Sequence, residues 1–444
     1  MRSFGKLFLP LLLLGSVTLS PAKDAPAVPE DLAQYIAKAE PDFTWKVEDT
    51  KEFGITKIWH LKLTSQVWQG IPWTHDLLVV KPVGVPTGKM LLLNDGGSAS
   101  QERAMYAALL AGKIKAPVAM LLGVPNQPLF DGKKEDHLIA ETFVRYLDSG
   151  DASWPLLFPM VKSVVKAMDS LQDLSAKEWQ EPVTKFIVGG GSKRGWTTWL
   201  TAASDPRVMA ITPMVIDVLN MREQLTHQQS SLGGPSAEIS PYTDRGLVPI
   251  PDTPRANHLW SMVDPWTYRA RFTMPKLIVL GNNDPYWSTD ALNLYWDALP
   301  GEKYISYSPN AGHDLTERDS AGKKLNADRA INNVSAFVRY QLSGKPLPKL
   351  EWKHETQADG SLALKVTADP APKEARLWVA KSDTKDFRKA RWESREIALK
   401  GGEPVNASIA KPEKGFIAYY ADLGYEIDGL PQWLCTQLKV AAAE

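Results

Sequence analysis

Val188-Gly189-Gly190-Gly191-Ser192-Lys193-Arg194-Gly195-Trp196 decides how the rest of this chain is read. A short apolar run, Phe186 to Val188, passes into glycines and a serine. A helical pattern follows, with Trp196, Trp199, Leu200 and Ala203 on one face. This strand-turn-helix context is that of a nucleophile elbow. The requirement is steric: a serine on so tight a turn has strained backbone angles, and its neighbours must lack bulk. Gly190, two residues before the serine, meets that need. The common pattern has a second glycine two residues after the serine, where this chain has Arg194. Gly195 comes one later, so the pattern is G-x-S-x-x-G. The amide of Lys193 falls at the helix N-terminus, where unpaired N–H groups and the helix dipole favour an oxyanion.

Working outward, chain order extends the reading. An α/β-hydrolase fold carries its triad in the order Ser, Asp or Glu, His. After Ser192 comes an apolar run, Lys276 to Leu280, and then Gly281-Asn282-Asn283-Asp284. The next run, Tyr304 to Tyr307, leads into Pro309-Asn310-Ala311-Gly312-His313. His313 is placed to take a proton from Ser192, and Asp284 to hold the imidazole tautomer. Asp217 follows the run Val208 to Ile216 and stays as the alternative acid. A second oxyanion donor is expected from Leu93-Asn94-Asp95-Gly96-Gly97-Ser98, at Gly96 or Gly97, where glycine lets backbone approach substrate closely. Lys193 and Arg194 either add positive charge for an anionic substrate or are simply solvated. His227 either lines a substrate cleft or is a solvated helix residue.

Around these residues, short apolar runs alternate with helical patterns: Met90–Leu93, Val118–Leu122, Phe186–Val188, Val208–Ile216, Leu277–Leu280 and Tyr304–Tyr307. That alternation predicts βαβ units on a parallel sheet. Residues 43 to 80 read instead as antiparallel hairpins. Residues 217–272 break the pattern with irregular, turn-rich sequence and read as a cap insertion over the site. Gly344-Lys345-Pro346-Leu347-Pro348 reads as a linker. Beyond it, short alternating runs predict a small immunoglobulin-like β-sandwich. The expected organisation is therefore a leader over residues 1–22, an α/β-hydrolase domain over 23–343, and a β-sandwich over 344–444.

The bulk composition excludes several classes. Lys plus Arg equals Asp plus Glu at 51 each, so no global charge marks the chain for nucleic acid. Arg2 and Lys6, the apolar run Leu7 to Leu14 and the small residues Ser20-Pro21-Ala22 predict a cleaved export signal. No later segment is apolar enough for stable membrane insertion. The single cysteine, Cys435, cannot form an internal disulfide and reads as a buried thiol. The sixteen tryptophans serve either packing or a carbohydrate or aromatic site. Glu135-Asp136-His137 lacks a metal-ligand spacing. No metal site, P-loop or dinucleotide fingerprint is read, and no cofactor is expected.

Longer stretches carry a resemblance. Gly191 to Leu200, Asp205-Pro206-Arg207-Val208, Pro213 to Met221, Gly123 to Leu129, Pro159-Met160 and Val263-Asp264-Pro265 resemble the PhoPQ-activated pathogenicity-related protein family. The likeness spans nearly the whole chain after the leader. It implies an exported bacterial protein of α/β-hydrolase type with a C-terminal β domain, in a family linked to virulence regulation and tolerance of membrane-active peptides. A related eukaryotic secreted protein represses cell proliferation. The serine turn is also similar to that of glucuronoyl esterases, which share G-x-S-[basic]-x-G. Family members often carry a Gly-Asp-Glu-Phe-Phe-like turn where this chain has Gly281-Asn282-Asn283-Asp284, so the acid stays open between Asp284 and Asp217.

The expectation is an exported serine hydrolase, periplasmic or secreted, acting on a small-molecule or glycan-linked ester. The alternatives are an amidase or peptidase, and a non-catalytic secreted binding protein on the same fold.

Overall fold

The computed structural model describes residues 28–443. The leader expected at residues 1–22 lies outside the described residues. After α1 (Asp31–Ala37), the strands β1 (Thr44–Phe53), β2 (Thr56–Trp68) and β3 (Ile71–Pro82) form an antiparallel meander. Then follow β4 (Lys89–Asn94), α2 (Gln101–Ile114), β5 (Val118–Leu122), α3 (Glu135–Ser149), α4 (Leu157–Glu178), β6 (Lys185–Gly191), α5 (Lys193–Ser204) and β7 (Val208–Met214). The insertion carries α6 (Met221–Leu232), α7 (Ser240–Thr243) and α8 (Pro254–Val263). The chain returns through β8 (Lys276–Gly281), β9 (Lys303–Ser308) and α9 (Asp328–Ser343).

The strand order β3-β5-β4-β6-β7-β8-β9 is the α/β-hydrolase arrangement, with β4 and β5 exchanged and β3 antiparallel to its neighbour. From β5 to β9 every pairing is parallel. A parallel strand is covered on both faces, so its sequence is continuously apolar. In β5, Ala119 and Leu121 join the core under α4 and α5, while Val118, Met120 and Leu122 join the core under α2 and α9. That division is the two-residue period of a strand.

The insertion is more helical than its sequence suggests. Its loop signals turn out to punctuate helices. Gly233 ends α6 in a left-handed conformation (φ 80°), and Pro254 opens α8 behind the capping Thr253 side chain. Buried Asp264 ties the two ends of the insertion together. Its carboxylate accepts from the amides of Asn220 (3.2 Å), Met221 (2.8 Å) and Trp266 (2.8 Å).

The C-terminal strands are β10 (Lys349–Thr356), β11 (Leu362–Asp369), β12 (Glu374–Ser382), β13 (Glu393–Glu396), β14 (Val405–Ile409), β15 (Phe416–Ile427), β16 (Leu430–Cys435) and β17 (Lys439–Ala442). One layer is the small sheet β10-β11-β14. The other layer, β16-β15-β12-β13 with β17, prolongs the central sheet: Cys435 of β16 pairs with Ile305 of β9. The sandwich is thus sewn onto the sheet edge. Cys435 is buried there, its sulfur accepts from the Tyr307 amide at 3.3 Å, and burial pushes its thiol up to about 12. A thiol so held is not a nucleophile. No described helix is long and apolar enough to cross a membrane.

Replacing Asp264 by Ala leaves three backbone donors without their acceptor. The variant is expected to lose about 1–3 kcal/mol of stability by urea denaturation; an unchanged midpoint contradicts this anchoring role.

Candidate active site

Strand β6 delivers Ser192 to the carboxyl edge of the sheet, and α5 begins at the next residue. Ser192 sits at φ 57°, ψ −128°, a conformation that ordinary side chains rarely adopt. Its amide donates to Met214 O at 2.8 Å, which pins the turn to β7. Two glycines make the geometry possible. A Cβ at Gly190 would lie 2.6 Å from Asn94 Nδ2 and 2.7 Å from Arg194 O. A Cβ at Gly195 would lie 2.6 Å from Ile216 Cγ2 and 2.9 Å from Gly190 O. The departure from the common spacing is therefore structural: Gly195 lets the first turn of α5 close on the ends of β6 and β7.

Asp284 and His313 come together through backbone packing. The Asn283 amide donates to Ala311 O at 2.9 Å, and the Asn282 amide to Ser308 O at 3.1 Å. A Cβ at Gly281 would stand 2.4 Å from Gly312 O, so only glycine lets the two loops touch. His313 Nδ1 lies 2.8 Å from Asp284 Oδ2, and the Tyr286 amide donates to Asp284 Oδ1 at 2.9 Å. A carboxylate only accepts, so this pairing puts the ring proton on Nδ1 and leaves Nε2 as the acceptor. The Tyr286 ring lies on the imidazole, with centroids 4.4 Å apart.

Asp217 is bonded elsewhere. It is buried, and its Oδ1 accepts from the Tyr295 hydroxyl. Burial pushes its carboxyl up to about 7, with nearby Asp284 adding to the rise and the Tyr295 hydrogen bond opposing it.

Ser192 and His313 line one cavity, roofed by Met221 and Leu225 of α6 and by Trp260 of α8. Lys193 is on its wall; Gly96 and Gly97 are not. Both of those glycines make room for arginines. A Cβ at Gly96 would collide with Arg194, and one at Gly97 with Arg103. The Gly97 amide already donates to Asp95 Oδ1 at 2.7 Å.

Lys193 and Arg194 are neither free for an anion nor solvated. Both are buried. Arg194 makes a two-pronged contact with Glu135, at 2.7 and 2.8 Å. Lys193 Nζ reaches Glu135 at 2.8 Å and Asp136 at 3.2 Å. Burial opposes the charge on Glu135, but the hydrogen bond and charge of Arg194, joined by Lys193, outweigh it. The carboxyl is held well below the usual range. His227 pairs with Asp290 at 2.6 Å and does not line the cavity, and His137 is exposed. A further serine–histidine contact, Ser65 Oγ to His75 Nε2 at 3.1 Å, is sealed in the core, where His75 Nδ1 meets Gly123 O rather than an acid.

The profile of the PhoPQ-activated pathogenicity-related protein family matches residues 32–388. This chain belongs to that family. Autocrine proliferation repressor protein A of Dictyostelium discoideum is 28% identical over 434 residues, covering 89% of this chain and 85% of its own length. Among solved structures, acetyl xylan esterase 1 from Thermoanaerobacterium sp. JW/SL YS485 is similar at a TM-score of 0.46 and 16% identity, over 64% of this chain and 89% of that one. An S-formylglutathione hydrolase from Agrobacterium tumefaciens is similar at a TM-score of 0.41 and 13% identity, over 67% of this chain and 98% of that one.

In this PhoPQ-related chain the family match ends inside a C-terminal segment that grips the site. Asn283, beside Asp284, donates to Phe387 O (3.1 Å) and Ala390 O (2.8 Å). Asn310, three residues before His313, exchanges two 2.9 Å hydrogen bonds with the backbone of Trp392. The loops bearing the acid and the histidine are thus clamped to one segment. Sequence reading missed both asparagines. Their only local signal is their place beside Asp284 and His313; the partner carbonyls lie 82 to 107 residues away.

Asn310→Ala is expected to cost about 1–2 kcal/mol of stability, since it removes two backbone partners; unchanged thermal unfolding would count against the clamp. Asp217 supplies a pH test. Its proton is held more tightly in the folded chain, so its contribution to stability is full below pH 3.8 and declines as pH rises to about 7. Asp217→Asn removes that decline. Urea midpoints at several pH values should show the variant gaining on the native protein between these limits, and a constant difference refutes the assignment.

Proposed function

We propose that this protein is an exported serine hydrolase that cleaves carboxylic esters, with Ser192 as nucleophile, His313 as general base and Asp284 as the acid that orients it. One observation carries the reading: an imidazole bonded through Nδ1 to a buried carboxylate shares a cavity with a serine on a strained elbow. The link the proposal adds is the hydrogen bond from the Ser192 hydroxyl to His313 Nε2. Such contacts are commonly long in unliganded sites and tighten with substrate.

Ser192 Oγ attacks the ester carbonyl as Nε2 takes its proton. The carbonyl oxygen becomes an oxyanion facing the Lys193 amide at the start of α5. The Gly97 amide is spent on Asp95, and neither Gly96 nor Gly97 lines the cavity, so the reading rests on the Lys193 amide. His313 then returns the proton to the departing alcohol, leaving an acyl group on Ser192. A water, deprotonated by Nε2, attacks that acyl carbonyl, and the carboxylic acid leaves as Ser192 regains its proton. Asp284 stabilises the imidazolium in both halves.

The 28% identical repressor of proliferation supports a second reading, in which the chain acts outside the cell as a binding or signalling protein without turnover. One experiment separates the two. A fluorophosphonate probe should label the native protein and not Ser192→Ala. Hydrolysis of p-nitrophenyl acetate should fall by roughly 10³-fold or more in Ser192→Ala and also fall steeply in Asp284→Asn. Absence of labelling and turnover in the native protein selects the binding reading.

A further inference from the structure

The cavity beside Ser192 measures ≈ 50 Å³. The wall is apolar: Trp196, Val215, Met221, Leu225, Trp260 and Trp287 supply most of it. Several of its polar side chains are already paired. Lys193 is paired with Glu135 and Asp136, and the Tyr242 hydroxyl donates to Asp136 at 3.1 Å. The Gln228 amide group donates to Tyr286 O and accepts from the Ser236 amide, both at 3.0 Å. Ser192, His313 and the buried indole N–H of Trp287, which has no hydrogen-bond partner, are left to meet a ligand's polar atoms.

His313 has a second aspect. It also lines an open cleft of ≈ 1020 Å³ shared with Arg318 and, from the C-terminal segment, Arg388, Lys389 and Arg391. The imidazole therefore stands between a small apolar cavity and a large open cleft that carries charged side chains. In ester cleavage the histidine hands its proton to the leaving oxygen, so the leaving group lies on the histidine side. The acyl group is left with the apolar side.

We infer that the substrate is an ester of a short, uncharged acyl group, and that its bulk lies in the alcohol portion, which extends into the cleft. This deepens the proposed hydrolase reading and rests on it. Leu225, half-buried on the cap helix, sets the depth of the acyl cavity.

The test is an acyl-length series of p-nitrophenyl esters from acetyl to octanoyl, measured as kcat/KM with the full chain. The expected result is a maximum at acetyl to butyryl and a fall of at least tenfold by octanoyl. In Leu225→Ala the maximum should move to a longer acyl group. A flat or rising native profile overturns the inference while leaving the hydrolase reading intact, whatever the variant does. If no ester is turned over and the fluorophosphonate probe does not label Ser192, the hydrolase reading falls and takes the inference with it.

Discussion

The site depends on one place where backbone meets backbone. The turn after β8 and the loop after β9 touch at Gly281, whose missing side chain leaves room for the carbonyls of Ala311 and Gly312. Everything that orients His313 follows from that contact: the paired amides of Asn282 and Asn283, the carboxylate of Asp284 against Nδ1, and the Tyr286 ring over the imidazole. A methyl group there would stand 2.4 Å from the Gly312 carbonyl oxygen, so the loops would have to move apart and their hydrogen bonds lengthen.

Charge beside the cavity is paired off. Lys193 and Arg194, which follow Ser192 directly, and Glu135 and Asp136 at the start of α3 close on one another. Breaking such a set by removing one partner leaves a desolvated charge, so the network holds the first turn of α5 and the start of α3 in fixed relation. Gly96 belongs to the same arrangement, because its missing Cβ gives the Arg194 guanidinium its space. What reads in sequence as a basic patch beside a serine is, in three dimensions, a neutral brace.

The C-terminal strands have two roles. They join β16 to the edge of β9 at the pair Cys435 and Ile305, so that this edge is not left fully open. They also send the segment around Phe387 to Trp392 back to the two loops that bear Asp284 and His313. The cap acts from the opposite side, held at both ends by Asp264 and lowering Met221, Leu225 and Trp260 onto the cavity.

The sequence by itself determined the succession of the parallel strands and the turn that carries Ser192. The apolar runs of the parallel strands are continuous, and the glycines around Ser192 are demanded by local backbone geometry, so both are visible without coordinates. The loop signals of the cap misled because a glycine or proline between helices looks the same as one in irregular chain; Gly233 and Pro254 differ only in what packs beside them. Tertiary structure alone chose Asp284 over Asp217 as the partner of His313. Both acids follow a strand, and the difference lies in which strand end faces the histidine loop and which faces Tyr295. It alone paired Arg194 with Glu135, 59 residues earlier, and Asn310 with Trp392, 82 residues later. Such contacts have no local period or spacing, because they are set by where the sheet brings its loops together.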